Sequence, residues 1–233
     1  MRCRLALLAI GLLPLSLMTG TAAASAGGKP APAAARPAPA GPSAGALLGK
    51  IRTCRQISKG KYRSDDETAR NIAVCGATGA VFWKADMDID CDGVPTSKCN
   101  KNTDPWFQPD TFLHTSKGKP FNAETMPYTV IPSPSVTFDY RKHNIKPGAV
   151  VAIIYNNRVL YTVFADTGPT GIIGEASYAA ASRLGIDPDP KDGGTDSGVS
   201  YIVFQNSRVS PVESHSAATS LGERLATEFV DNN

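Results

Sequence analysis

Residues 159–186 read VLYTVFADTGPTGIIGEASYAAASRLGI. The run up to Asp166 is β-branched, aromatic and apolar, which is strand composition. Thr167 to Gly174 holds three glycines and a proline, a flexible connection. From Glu175, small and apolar residues follow at helical spacing and stop at Gly185, which predicts a helix from about Glu175 to Leu184. The stretch therefore sets a strand end beside a helix start, with one carboxylate at each.

Working outward, IIYNNRVLYTVF (153–164) predicts a hairpin, because Asn156-Asn157 suits the left-handed dihedrals of a tight turn. Further strands are predicted over 80–90 (AVFWKADMDID), 128–132 (YTVIP), 149–157, 158–166 and 199–207. Near the C-terminus, Ala218, Leu221, Leu225 and Phe229 form a stripe at helical spacing. The predicted class is mostly β with a few helices.

Residues 1–26 have a basic start, an apolar middle and small residues at the end, and predict a secretory signal peptide. Residues 27–46 are almost wholly Gly, Pro and Ala, a linker composition, which leaves 47–233 as one domain with a substantial core. No later apolar run is long enough for a bilayer, so no membrane association is expected. Loss of Arg2 and Arg4 with the signal leaves 22 basic against 21 acidic residues without a clustered basic face, which argues against nucleic acid as a partner. The four remaining cysteines, Cys54, Cys75, Cys91 and Cys99, form an even set in an exported chain and allow three pairings. Short loops close most easily, favouring Cys54 with Cys75 and Cys91 with Cys99.

Asp166 at a strand end and Glu175 at a helix start can point into one cleft. Glycoside hydrolysis takes such a pair, one carboxyl to protonate the departing oxygen and one to activate water or attack the sugar. The plainer reading is a turn-capping Asp and a Glu complementing a helix dipole. Asp86, Asp88, Asp90 and Asp92 alternate along KADMDIDCDG, and on a strand would share one face. Like charges in a row call for a metal or a cationic ligand. With Asp88 in the first position of a calcium loop, the twelfth is Cys99 rather than the required Glu, so the EF-hand pattern fails. Trp83, Trp106, Phe107 and Tyr140 are candidates for stacking on sugar or for core, and Thr167 and Ser177 for orienting the carboxylates or for capping.

MDIDCDG with Cys99 after it, then DPWFQPDTF, then FADTGPTGIIGEAS resemble the signature blocks of glycoside hydrolase family 75 chitosanases, over nearly all of residues 50–210. The resemblance implies endo-hydrolysis of chitosan with inversion, Asp166 and Glu175 as the catalytic pair, and no metal or other cofactor. It gives the acidic run a cause, since carboxylates attract the ammonium groups of glucosamine. Asp86, Asp88, Asp90, Asp92, Thr167 and Trp106 are then expected to bind substrate, in an extracellular protein acting as a monomer. Glu175, shielded by Ile172 and Ile173, is expected to be the acid and Asp166 the base. Two other readings stand beside this one. One is a calcium-stabilised module that holds a polysaccharide without cutting it. The other is an enzyme acting on peptidoglycan, since A-D-T-G-x-x-x-x-G followed by a carboxylate also resembles the active block of double-psi barrel lytic transglycosylases. That second likeness implies a six-stranded double-psi β-barrel core.

Overall fold

The computed structural model describes residues 41–233. The expected signal peptide, and the linker up to residue 40, lie outside the described residues. Residues 44–46, assigned to the linker on composition, instead form the first turn of a helix capped by the Ser43 side chain. In chain order the elements are α1 (Ala44–Lys50), β1 (Arg55–Gln56), β2 (Cys75–Ala77), β3 (Ala80–Asp90), β4 (Tyr128–Pro132), a 3-10 turn (Tyr140–His143), β5 (Val150–Tyr155), β6 (Arg158–Gly168), β7 (Glu175–Ser177), α2 (Tyr178–Leu184), β8 (Thr195–Phe204) and α3 (His215–Asn232).

The strands run in the order β1-β2-β3-β7-β4-β6-β5-β8, and β8 returns to pair with β3. Strands β3, β7, β4, β6, β5 and β8 thus close a six-stranded barrel, mixed because β3 with β7 and β4 with β6 are parallel. The mostly β class and the barrel core expected from the sequence are both present. Asn156 and Asn157 adopt φ of 45° and 63° and turn the β5–β6 hairpin as their composition demands.

Alternate residues of each strand divide the core in two. Val81, Trp83, Val151, Ile153, Tyr201 and Val203 belong to a cluster that fills the barrel, with Trp83 and Tyr201 stacked at 5.4 Å. Phe82, Tyr161, Val163 and Phe204 belong to a second cluster that joins Leu47 of α1 and Phe229 of α3, against the outer wall. The buried line of α3 runs through Ala218, Gly222, Ala226 and Phe229, with Leu221 and Leu225 at its edges. Gly222 is required there: a β-carbon on it would stand 2.3 Å from the Tyr161 ring.

Disulfides join Cys54 to Cys75 and Cys91 to Cys99, the short-loop pairing. Among the described residues no helix is long and apolar enough to cross a membrane.

Candidate active site

The helix expected from Glu175 does not begin there. Glu175, Ala176 and Ser177 form β7, and α2 starts at Tyr178 with Ser177 as its cap. Pairing on both sides explains the difference: Asp88 and Asp90 of β3 lie in register with Glu175 and Ser177, while Val130 of β4 pairs with Glu175 from the other side. Glu175 is thus a mid-sheet residue and not a first-turn Glu complementing a helix dipole. Ser177 serves the backbone, capping Ala180 and accepting from the Tyr128 N–H at 2.9 Å.

Asp166 reaches the same face through an irregularity. Along β4 and β6 the register passes from Thr129 opposite Phe164 to Val130 opposite Asp166, so β6 carries one extra residue. Without it Asp166 would follow Phe164, two residues earlier, toward the barrel interior. The bulge re-aims it outward beside Val130. Asp166 and Glu175 then flank Val130, one on each neighbouring strand, with backbones roughly 10 Å apart at two strand spacings. Asp86, Asp88 and Asp90 share the outward face of β3, as their alternation predicts, and Asp92 follows in the loop.

The surroundings of the two carboxylates differ. Oδ1 of Asp166 accepts the main-chain N–H of Thr167 at 2.7 Å and of Phe112 at 3.0 Å. Burial pushes Asp166 up to about 6 although those two donors favour its charged form. Among the described residues no hydrogen bond reaches the Glu175 carboxyl. Burial first, then the charges of Asp88, Asp166, Asp92 and Asp104, raise Glu175 to about 8. Glu175 as a residue is only half-buried, but its carboxyl stands among protein atoms, so desolvation still leads.

The other acidic residues are crowded and uncompensated. Asp90 is buried, its Oδ1 accepts the Asp92 N–H at 2.6 Å, and burial with the Glu175, Asp166 and Asp92 charges holds it well above the carboxylate range. Asp92 takes the Gln108 N–H at 2.6 Å and is pushed up to about 7, chiefly by burial. Burial and then Asp88 raise Asp86 to about 8, and its Oδ1 has no hydrogen-bond partner. Carboxylate oxygens of Asp90, Asp92 and Asp166 come within 4.8 Å of one another, a spacing at which one cation could touch all three.

Of the aromatic candidates, Trp83, Phe107 and Tyr140 are core, whereas Trp106 is 85% exposed. Thr167 contributes its main-chain N–H to Asp166. Sequence reasoning missed three participants. Asp104 is buried and adds charge against Glu175, Phe112 supplies an N–H to Asp166, and the buried Tyr128 donates from Oη to the Asp92 carbonyl at 3.0 Å. Asp104 and Phe112 lie within DPWFQPDTF, where the resemblance could have pointed to them. Tyr128 sits in an apolar run with no such signal.

Residues 87–231 match the family described as fungal chitosanase of glycosyl hydrolase group 75. The chain is 35% identical to endo-chitosanase C of Aspergillus oryzae over 54% of its length and 32% of that protein's. It is 28% identical to an endo-chitosanase of Aspergillus fumigatus over 57% of its length and 60% of that protein's. Identity to endo-chitosanase B of Aspergillus oryzae is 28%, over 71% of this chain and 76% of the relative. The matches thus span one third to three quarters of the relatives' lengths. With the match running from Met87 on the acidic strand through both Asp166 and Glu175 to α3, the chain belongs to glycosyl hydrolase group 75.

Proposed function

We propose that this chain is an exported, monomeric endo-chitosanase that hydrolyses β-1,4 bonds of chitosan with inversion. The observation that carries the reading is the placement of Asp166 and Glu175 on either side of Val130, on one face, in environments that separate their proton affinities. Inverting enzymes hold their carboxyl groups about 6.5–9.5 Å apart to admit a water, which strands two spacings apart can provide.

Glu175 is the general acid and Asp166 the general base. Asp166 draws a proton from a water molecule as the water oxygen bonds to the anomeric carbon. The glycosidic C–O bond breaks, and Glu175 passes its proton to the departing oxygen. The pair ends with its protons exchanged and resets through solvent. Asp86, Asp88, Asp90 and Asp92 face the ammonium groups of the substrate, disfavouring neutral N-acetylated units. Trp106 offers an exposed ring, and Thr167 holds the base. No resident metal or cofactor is part of this reading.

The close carboxylates of Asp90, Asp92 and Asp166 favour a second reading, a cation-stabilised polysaccharide-binding module. Incubation with chitosan separates the two. New reducing ends whose first anomer is α, seen by proton NMR, are expected of the inverting hydrolase. A β-anomer would overturn inversion, and binding without new ends would overturn the hydrolase.

A further inference from the structure

Among the described residues, three large hydrophobic side chains are strongly exposed, and two of them, Trp106 and Phe112, lie on one loop after the acidic strand. That loop is stitched to the carboxylates by its own main chain. Trp106 N–H donates to Asp104 Oδ1 at 2.8 Å, Gln108 N–H to Asp92 Oδ1, and Phe112 N–H to Asp166 Oδ1, while Leu113 N–H donates to the Ala165 carbonyl at 2.8 Å. Phe107 and Thr111 are buried beneath it, so the loop has an inner side that fills core and an outer side that meets water.

Phe112 is 57% exposed, although leaving such a ring in water forfeits the gain of burying it. With its own N–H on the Asp166 carboxylate, bond geometry holds the ring centre within roughly 8 Å of the base. A sugar positioned for attack by water on Asp166 would have its neighbour within reach of that ring. The C–H faces of a pyranose are apolar, and an aromatic face is their natural complement.

We infer that Phe112 is a sugar-stacking residue for the hexose unit beside the scissile bond. This rests on the polysaccharide-hydrolase reading above. Stacking on C–H faces is indifferent to the amino group, so Phe112 secures the chain while the carboxylates choose its charge.

The test uses the full secreted chain with chitosan and with a glucosamine hexamer. Phe112→Ala is expected to raise KM about tenfold or more and to weaken hexamer binding to the Glu175→Gln background by a similar factor in calorimetry. Phe112→Tyr and Phe112→Trp should recover most of the loss, and Phe112→Leu should not. The acid limb of the pH profile should stay in place, because the main-chain N–H to Asp166 is retained. A moved limb would assign Phe112 to holding the loop instead, and overturn stacking. Equal KM and equal binding in Phe112→Ala would overturn it too, with the hydrolase reading intact. A wild-type chain that neither binds nor cleaves overturns both.

Discussion

Oε2 of Glu175 lies 3.1 Å from the point that a β-carbon on Gly168 would occupy. The carboxyl of β7 therefore leans across β4 toward the end of β6, two residues beyond Asp166. A methyl group at Gly168 would also stand 3.2 Å from Val130 Cγ1, so the carboxyl has to give. Gly168→Ala is expected to lower kcat by roughly tenfold with little change in thermal midpoint, since displacing an acid by a fraction of an ångström misaligns proton transfer. Full activity in this variant would contradict the role of Glu175.

Asp166→Asn and Glu175→Gln preserve volume and should each cut hydrolysis by several orders of magnitude while leaving the fold intact. A substrate with a very good leaving group needs little protonation. It should restore much of the rate to Glu175→Gln and little to Asp166→Asn. Rescue in the reverse pattern would exchange the two roles.

In the proposed mechanism, activity requires Asp166 charged and Glu175 protonated. With the first near 6 and the second near 8, kcat/KM should rise through about pH 6 and fall through about pH 8. A profile that keeps climbing above pH 9 would rule out Glu175 as the acid.

The same groups make stability depend on pH. Asp86, Asp90 and Glu175 have pKa values raised above those of the unfolded chain, chiefly by burial. Between about pH 4 and 8 the folded state thus binds more protons than the unfolded one, and stability falls as pH rises. Asp139 and Glu213, with lowered values, act in the opposite sense below that window, and His143 and His215, lowered by burial, oppose it within the window but are outnumbered by the raised carboxyls. Thermal unfolding should peak on the mildly acidic side and decline toward pH 8. Glu175→Gln should flatten the decline by removing one group that must ionise without a partner. A midpoint rising steadily from pH 5 to 8 would contradict this.

Loss of the Cys91–Cys99 bridge, by paired Ser substitutions, should cost roughly 2.5 kcal/mol for its short loop, against roughly 3 for Cys54–Cys75. Only the first should also lower kcat, because Asp92 lies inside that loop. Denaturant titration and initial rates read the two effects separately.

What the sequence determined by itself was local. Strands β3 and β4 have the predicted limits, and the Asn156-Asn157 turn follows from the few residues that can adopt its dihedrals. The cysteine pairing follows from short loops, and Asp166 with Glu175 stand out because two polar groups interrupt apolar and glycine-rich runs. Tertiary structure decided what depends on partners distant in the chain. Glu175 reads as helical from its own neighbours, and only pairing to Asp88 and Val130 draws it into a strand. The extra residue that turns Asp166 outward is a mismatch between two strands, invisible in either alone. Trp83 and Trp106 are the same residue type, yet one fills the barrel and the other stands in solvent. Periodicity records which side of its own strand a residue occupies; register and closure decide what that side faces, and here they bring carboxylates from three strands and a loop to one outer wall.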